Sequence, residues 1–169
     1  MKIVVFLQGT ILMHRSGLGR TREERVRQVS TGEASIFDWV SYVPIGHAAE
    51  KLRQWKSQGA AITYLGAHKT TDDVRVDVAV LKTHGFPIGP LFFRQGKEAY
   101  RDVAERIRPD ILIEDDCESI GGEREMTYPQ IRPEFRGMIK SVVVKEFGGI
   151  DHLPDEISEL LFFQGGWGP

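Results

Sequence analysis

Short apolar runs alternate with amphipathic stretches along almost the whole chain, and this alternation limits the fold more than any other feature. Lys2 to Leu7 carries Ile3-Val4-Val5-Phe6 and ends in Gln8-Gly9-Thr10. A run that is apolar at every position, β-branched and too short for a helix reads as a strand buried on both faces. Ala60 to Leu65, Leu91 to Phe93, Asp110 to Ile113 and Ile139 to Val144 repeat the pattern. Between the first two runs, Ala48, Leu52 and Trp55 recur at helical spacing before Gly59, which makes Trp55 a core residue. Thr70 or Thr71 followed by Asp72-Asp73 marks a second helix start, with Val74, Val78 and Leu81 on one face. Tyr100, Val103, Ala104 and Ile107 give a helix from about 97 to 108 that Pro109 stops, and Ile157, Leu160 and Leu161 face inward from a closing helix over 154–162. Parallel strands need crossovers of this length. The expected class is therefore α/β, three layers with a parallel sheet covered on both faces, forming a single domain over 1–162.

Residues 11–43 interrupt the alternation and read as a small insertion after the first strand. Ser16-Gly17-Leu18-Gly19 is loop-like, Thr21 and Glu24 have capping-box spacing, and Phe37, Trp39, Val40 and Tyr42 form an aromatic cluster. His14 and the arginines at 15, 20, 22, 25 and 27 make the segment locally basic, while the whole chain, with 22 basic and 24 acidic side chains, has a net charge of −2. That balance argues against nucleic-acid binding by field alone. Gly17-Leu18-Gly19 follows no strand and lacks a third glycine, so it is not a dinucleotide fingerprint. The single cysteine, Cys117, excludes an internal disulfide framework and a CxxC zinc site. The opening apolar run is too short for a signal peptide or a membrane span, so a soluble cytoplasmic protein is expected, with a flexible tail over 163–169.

In a parallel sheet, ligands bind beyond the carboxyl ends of the strands. The residues there are Gln8, Gly9 and Thr10; Gly66, Ala67 and His68; Arg94 and Lys97; and Glu114, Asp115, Asp116 and Glu118. Acids facing glycine-bearing turns and a lysine suit Mg²⁺ with a phosphate, because hard cations take carboxylate oxygens and phosphate takes backbone N–H groups and cations. The bland alternatives are a solvated acidic turn, an exposed loop histidine and a surface lysine. Cys117 beside Asp116 reads as a small filler rather than a nucleophile, since negative charge opposes the thiolate. The irregular stretch from Cys117 to Met138 follows the acids and reads as a lid over the same site.

The order of these pieces, an apolar strand then Gly9-Thr10-Ile11-Leu12, a long insert, Lys97 before a helix and Ile111-Leu112-Ile113-Glu114-Asp115-Asp116, resembles the haloacid dehalogenase (HAD) superfamily of Rossmann-like phosphatases and phosphotransferases over residues 2–162. The resemblance implies that the insert caps the site, so that this basic segment, with Trp39 and Tyr42, overhangs the strand ends and contacts an anionic ligand, the bland alternative being a solvated helix face; that Lys97 serves as the family lysine; and that Asp115 and Asp116 form the last acidic motif. It also exposes departures. Phe6 stands where the family keeps its nucleophilic aspartate, Gln8 where it keeps its acid/base aspartate, and Gly66 where it keeps a Ser or Thr. Phenylalanine cannot form an aspartyl-phosphate and an amide cannot shuttle a proton near neutral pH. The Gln8 carbonyl and Asp115 would still hold a weakened Mg²⁺ site. Three readings follow: a relic site that binds a phosphorylated small molecule or a protein partner through Gln8, Gly9, Thr10, Gly66, Ala67, His68 and Lys97; a metal-dependent phosphate hydrolase rearranged around Asp115 and Asp116, or recruiting His47, His68 or Cys117; or a shared topology with an unrelated function.

Overall fold

The computed structural model describes residues 1–164. Five parallel strands, β1 (Lys2–Phe6), β4 (Ala61–Leu65), β5 (Leu91–Phe92), β6 (Ile111–Asp115) and β7 (Lys140–Val144), form one sheet in the order β5-β4-β1-β6-β7. β1 lies at its centre, with Ile3 opposite Ile62 on one side and Ile111 on the other. Alternate residues of β1 feed two separate cores, as the period of two requires. Ile3 and Val5 pack with Leu52 and Trp55 of α2 (Ala48–Ser57) and with Val80 and Leu81 of α3 (Thr71–Thr83). Val4 packs on the opposite face with Val103, Ala104 and Ile107 of α4 (Tyr100–Ile107). The class is three-layer α/β, and among the described residues no helix is long and apolar enough to cross a membrane.

Residues 11–43 build a second, smaller layer. β2 (Leu12–His14) and β3 (Tyr42–Pro44) pair antiparallel, a hairpin-like stem that the sequence reading did not separate from the insert. Between them sits α1 (Arg22–Ser30), closed by the expected capping box: Thr21 Oγ1 accepts from Glu24 N–H, and the Glu24 carboxylate accepts from Thr21 N–H at 2.8 Å.

Three elements differ from expectation for local reasons. In α3 the buried phase is Val74, Asp77 and Leu81, while Val78 is half-exposed, so a carboxylate sits where a valine was expected. α4 starts at Tyr100 rather than Lys97, because Ala99 N–H donates to Asp102 Oδ2 at 2.8 Å and fixes the helix entry there. The closing helix, α5, spans only Ile157–Leu160. Carbonyls just before it are satisfied from α2 and the residue that follows it: the Trp55 indole donates to Pro154 O at 3.0 Å and Gln58 Nε2 to Asp155 O at 2.9 Å. Residues 165–169 of the expected tail lie outside the described part, whereas Phe163 packs half-buried against the core.

Candidate functional site

The chain leaves β1 through Phe6 and turns sharply at Gly9. Phe6 is half-buried, its ring meeting Tyr100 edge-on at 5.1 Å. Gly9 has φ +84°, and a Cβ there would lie 2.8 Å from Asp115 Oδ2, so both conformation and space demand glycine. Gln8 is held from both ends of its amide: Nε2 donates to Asp77 Oδ1 at 3.0 Å and Oε1 accepts from Ala67 N–H at 3.0 Å. The other Asp77 oxygen lies 2.8 Å from His68 Nδ1, with both residues buried. Gly66 makes room for this carboxylate, since a Cβ at that position would sit 3.1 Å from Asp77 Oδ2. Gln8 and Gly66 thus meet at one carboxylate, while Phe6 packs apart from them on Tyr100. Gln8 and Gly66 both serve Asp77.

On the other side of β1, the acids remain. Thr10 Oγ1 donates to Asp115 Oδ2 at 2.7 Å and Cys117 N–H to Asp115 Oδ1 at 3.0 Å. Asp116 Oδ1 accepts from Glu146 N–H at 2.9 Å, while its Oδ2 lies 3.5 Å from Lys145 Nζ and 3.8 Å from Arg22. Glu146, just after β7, accepts from both the N–H and the hydroxyl of Ser119. One carboxylate oxygen from each of Asp115, Asp116 and Glu146 lies within 4.8 Å of the others, and all three residues are buried. Burial pushes Asp115 above the ordinary carboxylate range and Glu146 up to about 7, against the pull of their hydrogen bonds. Glu114 is also pushed up to about 7 by burial, although it accepts the N–H groups of Thr127 and Tyr128.

A cavity of about 500 Å³ lies over these strand ends. Its wall includes Phe6, Gln8, Gly9, Ala67, His68, Asp115 and Glu146 from the sheet side and Met13, His14, Arg25, Trp39 and Tyr42 from the insert. The irregular stretch after β6 contributes Cys117, Ser119, Ile120, Glu125 and Thr127. Arg25 joins the two layers: its guanidinium donates to Gly17 O at 2.9 Å and to Phe147 O at 3.3 Å. Arg22 pairs with Glu118, tying the insert to the loop after β6.

Most residues singled out from sequence meet here, and several do not. His68, read as either a phosphate contact or an exposed loop residue, is buried against Trp39 with ring centroids 4.4 Å apart. Thr10 and Asp116 stand behind the wall rather than in it. Lys97 is exposed, in the turn before α4, and does not line the cavity; the amine beside the acids is Lys145. His47 is exposed beside Asp151, and Arg94 lies over the Tyr100 ring at 4.0 Å. Burial and the neighbouring Asp115 raise the Cys117 thiol, which suits the filler role. Sequence reasoning missed Glu146 and Asp77. Glu146 follows the fifth strand, where the strand-end rule applies equally; Asp77 was detectable as the polar residue at the buried phase of α3.

No protein-family model matches the chain, and no curated protein matches it. Solved structures are similar in fold. The class C acid phosphatase from Bacillus anthracis with tungstate bound superposes with a TM-score of 0.54 at 13% identity, over 88% of this chain and 68% of that one. A chain of the Pnkp1/Rnl/Hen1 RNA repair complex gives a TM-score of 0.50 at 14% identity, over 86% of this chain but only 43% of its own, so the present chain spans less than half its length. D,D-heptose 1.7-bisphosphate phosphatase from B. bronchiseptica, complexed with magnesium and phosphate, gives 0.42 at 10% identity, over 87% and 94%. At such identities the likeness is one of architecture: the chain shares a three-layer, parallel-sheet α/β fold with the class C acid phosphatase.

Proposed function

We propose that this protein descends from a HAD phosphatase and binds a phosphorylated ligand, a small molecule or a phosphorylated group of a protein partner, in the cavity over the strand ends, without forming an aspartyl-phosphate. The observation that carries this reading is the pairing of Phe6 with Gln8. The phenyl ring is packed on Tyr100, and the amide is committed to Asp77 and Ala67, so neither can do the work of a carboxylate. Arg25 supplies a cation on the wall whose hydrogen bonds go to main-chain carbonyls.

The acidic floor repels a bare phosphate, since Asp115 and Glu146 share the wall with Arg25. The oxygen-only donor set and burial of Asp115, Asp116 and Glu146 fit a hard cation such as Mg²⁺. Bound there, Mg²⁺ would offset most of the negative charge of the acids and would offer its remaining coordination positions to phosphate oxygens. The same cluster favours the second reading, a metal-dependent hydrolase around Asp115 and Asp116.

Calorimetric titration of p-nitrophenyl phosphate tests the first reading. Saturable one-site binding that strengthens with Mg²⁺ and weakens about tenfold or more in Arg25→Ala, the loss of one charge-assisted contact, is expected. Absence of binding with and without Mg²⁺ removes it.

A further inference from the structure

We propose that His68 is the proton acceptor of the cavity, a catalytic base held by Asp77 and Gln8 that takes the place of the missing acid/base aspartate. The inference rests on the reading that a phosphorylated ligand occupies the cavity, and adds a reaction to it.

The argument begins with hydrogen-bond inventory. Asp77 Oδ1 accepts from the Gln8 amide at 3.0 Å, and Asp77 Oδ2 lies 2.8 Å from His68 Nδ1. An ionised carboxylate only accepts, so the hydrogen between Asp77 and His68 belongs to Nδ1. In the neutral ring, this leaves the lone pair on Nε2. No described residue hydrogen-bonds to that atom, although it is buried and His68 is 8% exposed on the cavity wall. An acceptor left buried without a partner is unfavourable. Here the cost accompanies a carboxylate, an amide and a glycine all arranged to fix the ring.

The rearrangement explains three residues together. Gly66 leaves space for Asp77, Gln8 holds its outer oxygen, and Asp77 fixes the tautomer of His68. Random decay of a phosphatase site has no reason to produce a connected chain of satisfied hydrogen bonds ending in one free lone pair. Trp39, from the insert, lies edge-on to the ring at 4.4 Å.

The step is hydrolysis of a phosphate monoester. As the oxygen of a water molecule forms a bond to phosphorus, Nε2 takes one of its protons; the bond from phosphorus to the alcohol oxygen on the opposite side breaks, that oxygen takes a proton from solvent, and the imidazolium releases its own to solvent. The products are the alcohol and inorganic phosphate, with no phosphorylated side chain. His68 is the catalytic residue, and Asp77 and Gln8 are positioning residues.

Two measurements test it on the full chain. With p-nitrophenyl phosphate in Mg²⁺-containing buffer, His68→Gln should lower kcat by about 10²–10⁴-fold, the usual contribution of a general base, with a far smaller change in KM. The imidazole ¹⁵N spectrum should show the Nδ1–H tautomer for His68, with the Nε2 resonance moving when inorganic phosphate is added; Asp77→Ala should abolish the tautomer preference even if the variant stays folded. Wild-type protein that binds phosphate but does not turn over the ester, or turnover unchanged in His68→Gln, overturns the catalytic assignment and leaves the binding reading intact. An Nε2–H tautomer overturns the assignment irrespective of the substrate chosen. Loss of phosphate binding itself counts against the reading beneath it.

Discussion

The two flanks of β1 carry different chemistry at the same rim of one sheet. On the β4 flank, Gln8, Gly66, His68 and Asp77 form a chain with one carboxylate and a fixed imidazole. On the β6 and β7 flank, three carboxylates crowd within 4.8 Å and lean on Thr10, Ser119 and the cations of Arg22 and Lys145. The strands beneath differ less: β4 and β6 are almost wholly buried, and β7, at the sheet edge, is buried at Val142 and Val144. What differs is the side chain that each strand hands to the rim. A parallel sheet tolerates that freedom, since its core supplies stability and its strand ends supply chemistry.

Changes on each flank put this contrast at risk. The largest expected effect comes from Asp77→Ala, which leaves the His68 Nδ1–H and one Gln8 N–H without an acceptor in a buried place. Two orphaned donors should cost about 2–4 kcal/mol in denaturant unfolding; a loss under about 0.5 kcal/mol would mean the chain of hydrogen bonds is dispensable. Thr10→Val on the opposite flank removes the donor to Asp115 and should cost about 2 kcal/mol, the range for a bond to a charged group. Because Asp115 is the residue it serves, this loss should shrink when Mg²⁺ is present, whereas the Asp77→Ala loss should not.

Gly66→Ser adds a hydroxyl at the turn after β4. Its Cβ would stand 3.1 Å from Asp77 Oδ2, so Asp77 must give way by a few tenths of an ångström, at a cost of about 1 kcal/mol in stability. The His68 tautomer should become mixed; an unchanged ring spectrum would separate Gly66 from the network. The smallest effect lies in the insert, where Arg20 grips Glu33 in two hydrogen bonds and holds its carboxyl down at about 2. A depressed carboxyl stabilises above its ordinary value of 4.5 and loses that contribution as pH falls toward 2. Melting of the wild type should therefore drop slightly more over pH 4.5 to 2 than that of Glu33→Gln, with a small difference because the pair is partly exposed.

The sheet was legible because a strand buried on both faces needs apolar residues at every position, and Ile3, Val4, Val5, Ile111, Leu112 and Ile113 supply them. Helix α1 was legible through Thr21 and Glu24, whose reciprocal bonds are local. The β2–β3 pair was not, because its two three-residue strands lie 27 residues apart and carry no alternation long enough to read. The acidic cluster was half visible: Asp115 and Asp116 announce themselves as neighbours, while Glu146 reaches them only through the pairing of β6 with β7. The His68 environment depends on Asp77 and Trp39, remote in sequence and brought together by packing, and a period-based reading of α3 assigns its buried face to valines.

A crystal grown with Mg²⁺ and phosphate tests the central claim most directly. The account predicts phosphate in the cavity between Gln8, Arg25 and Asp115, with Mg²⁺ on the Asp115, Asp116 and Glu146 oxygens and no covalent link to any side chain. Phosphate absent from the cavity, or bonded to a carboxylate as an acyl phosphate, would contradict it.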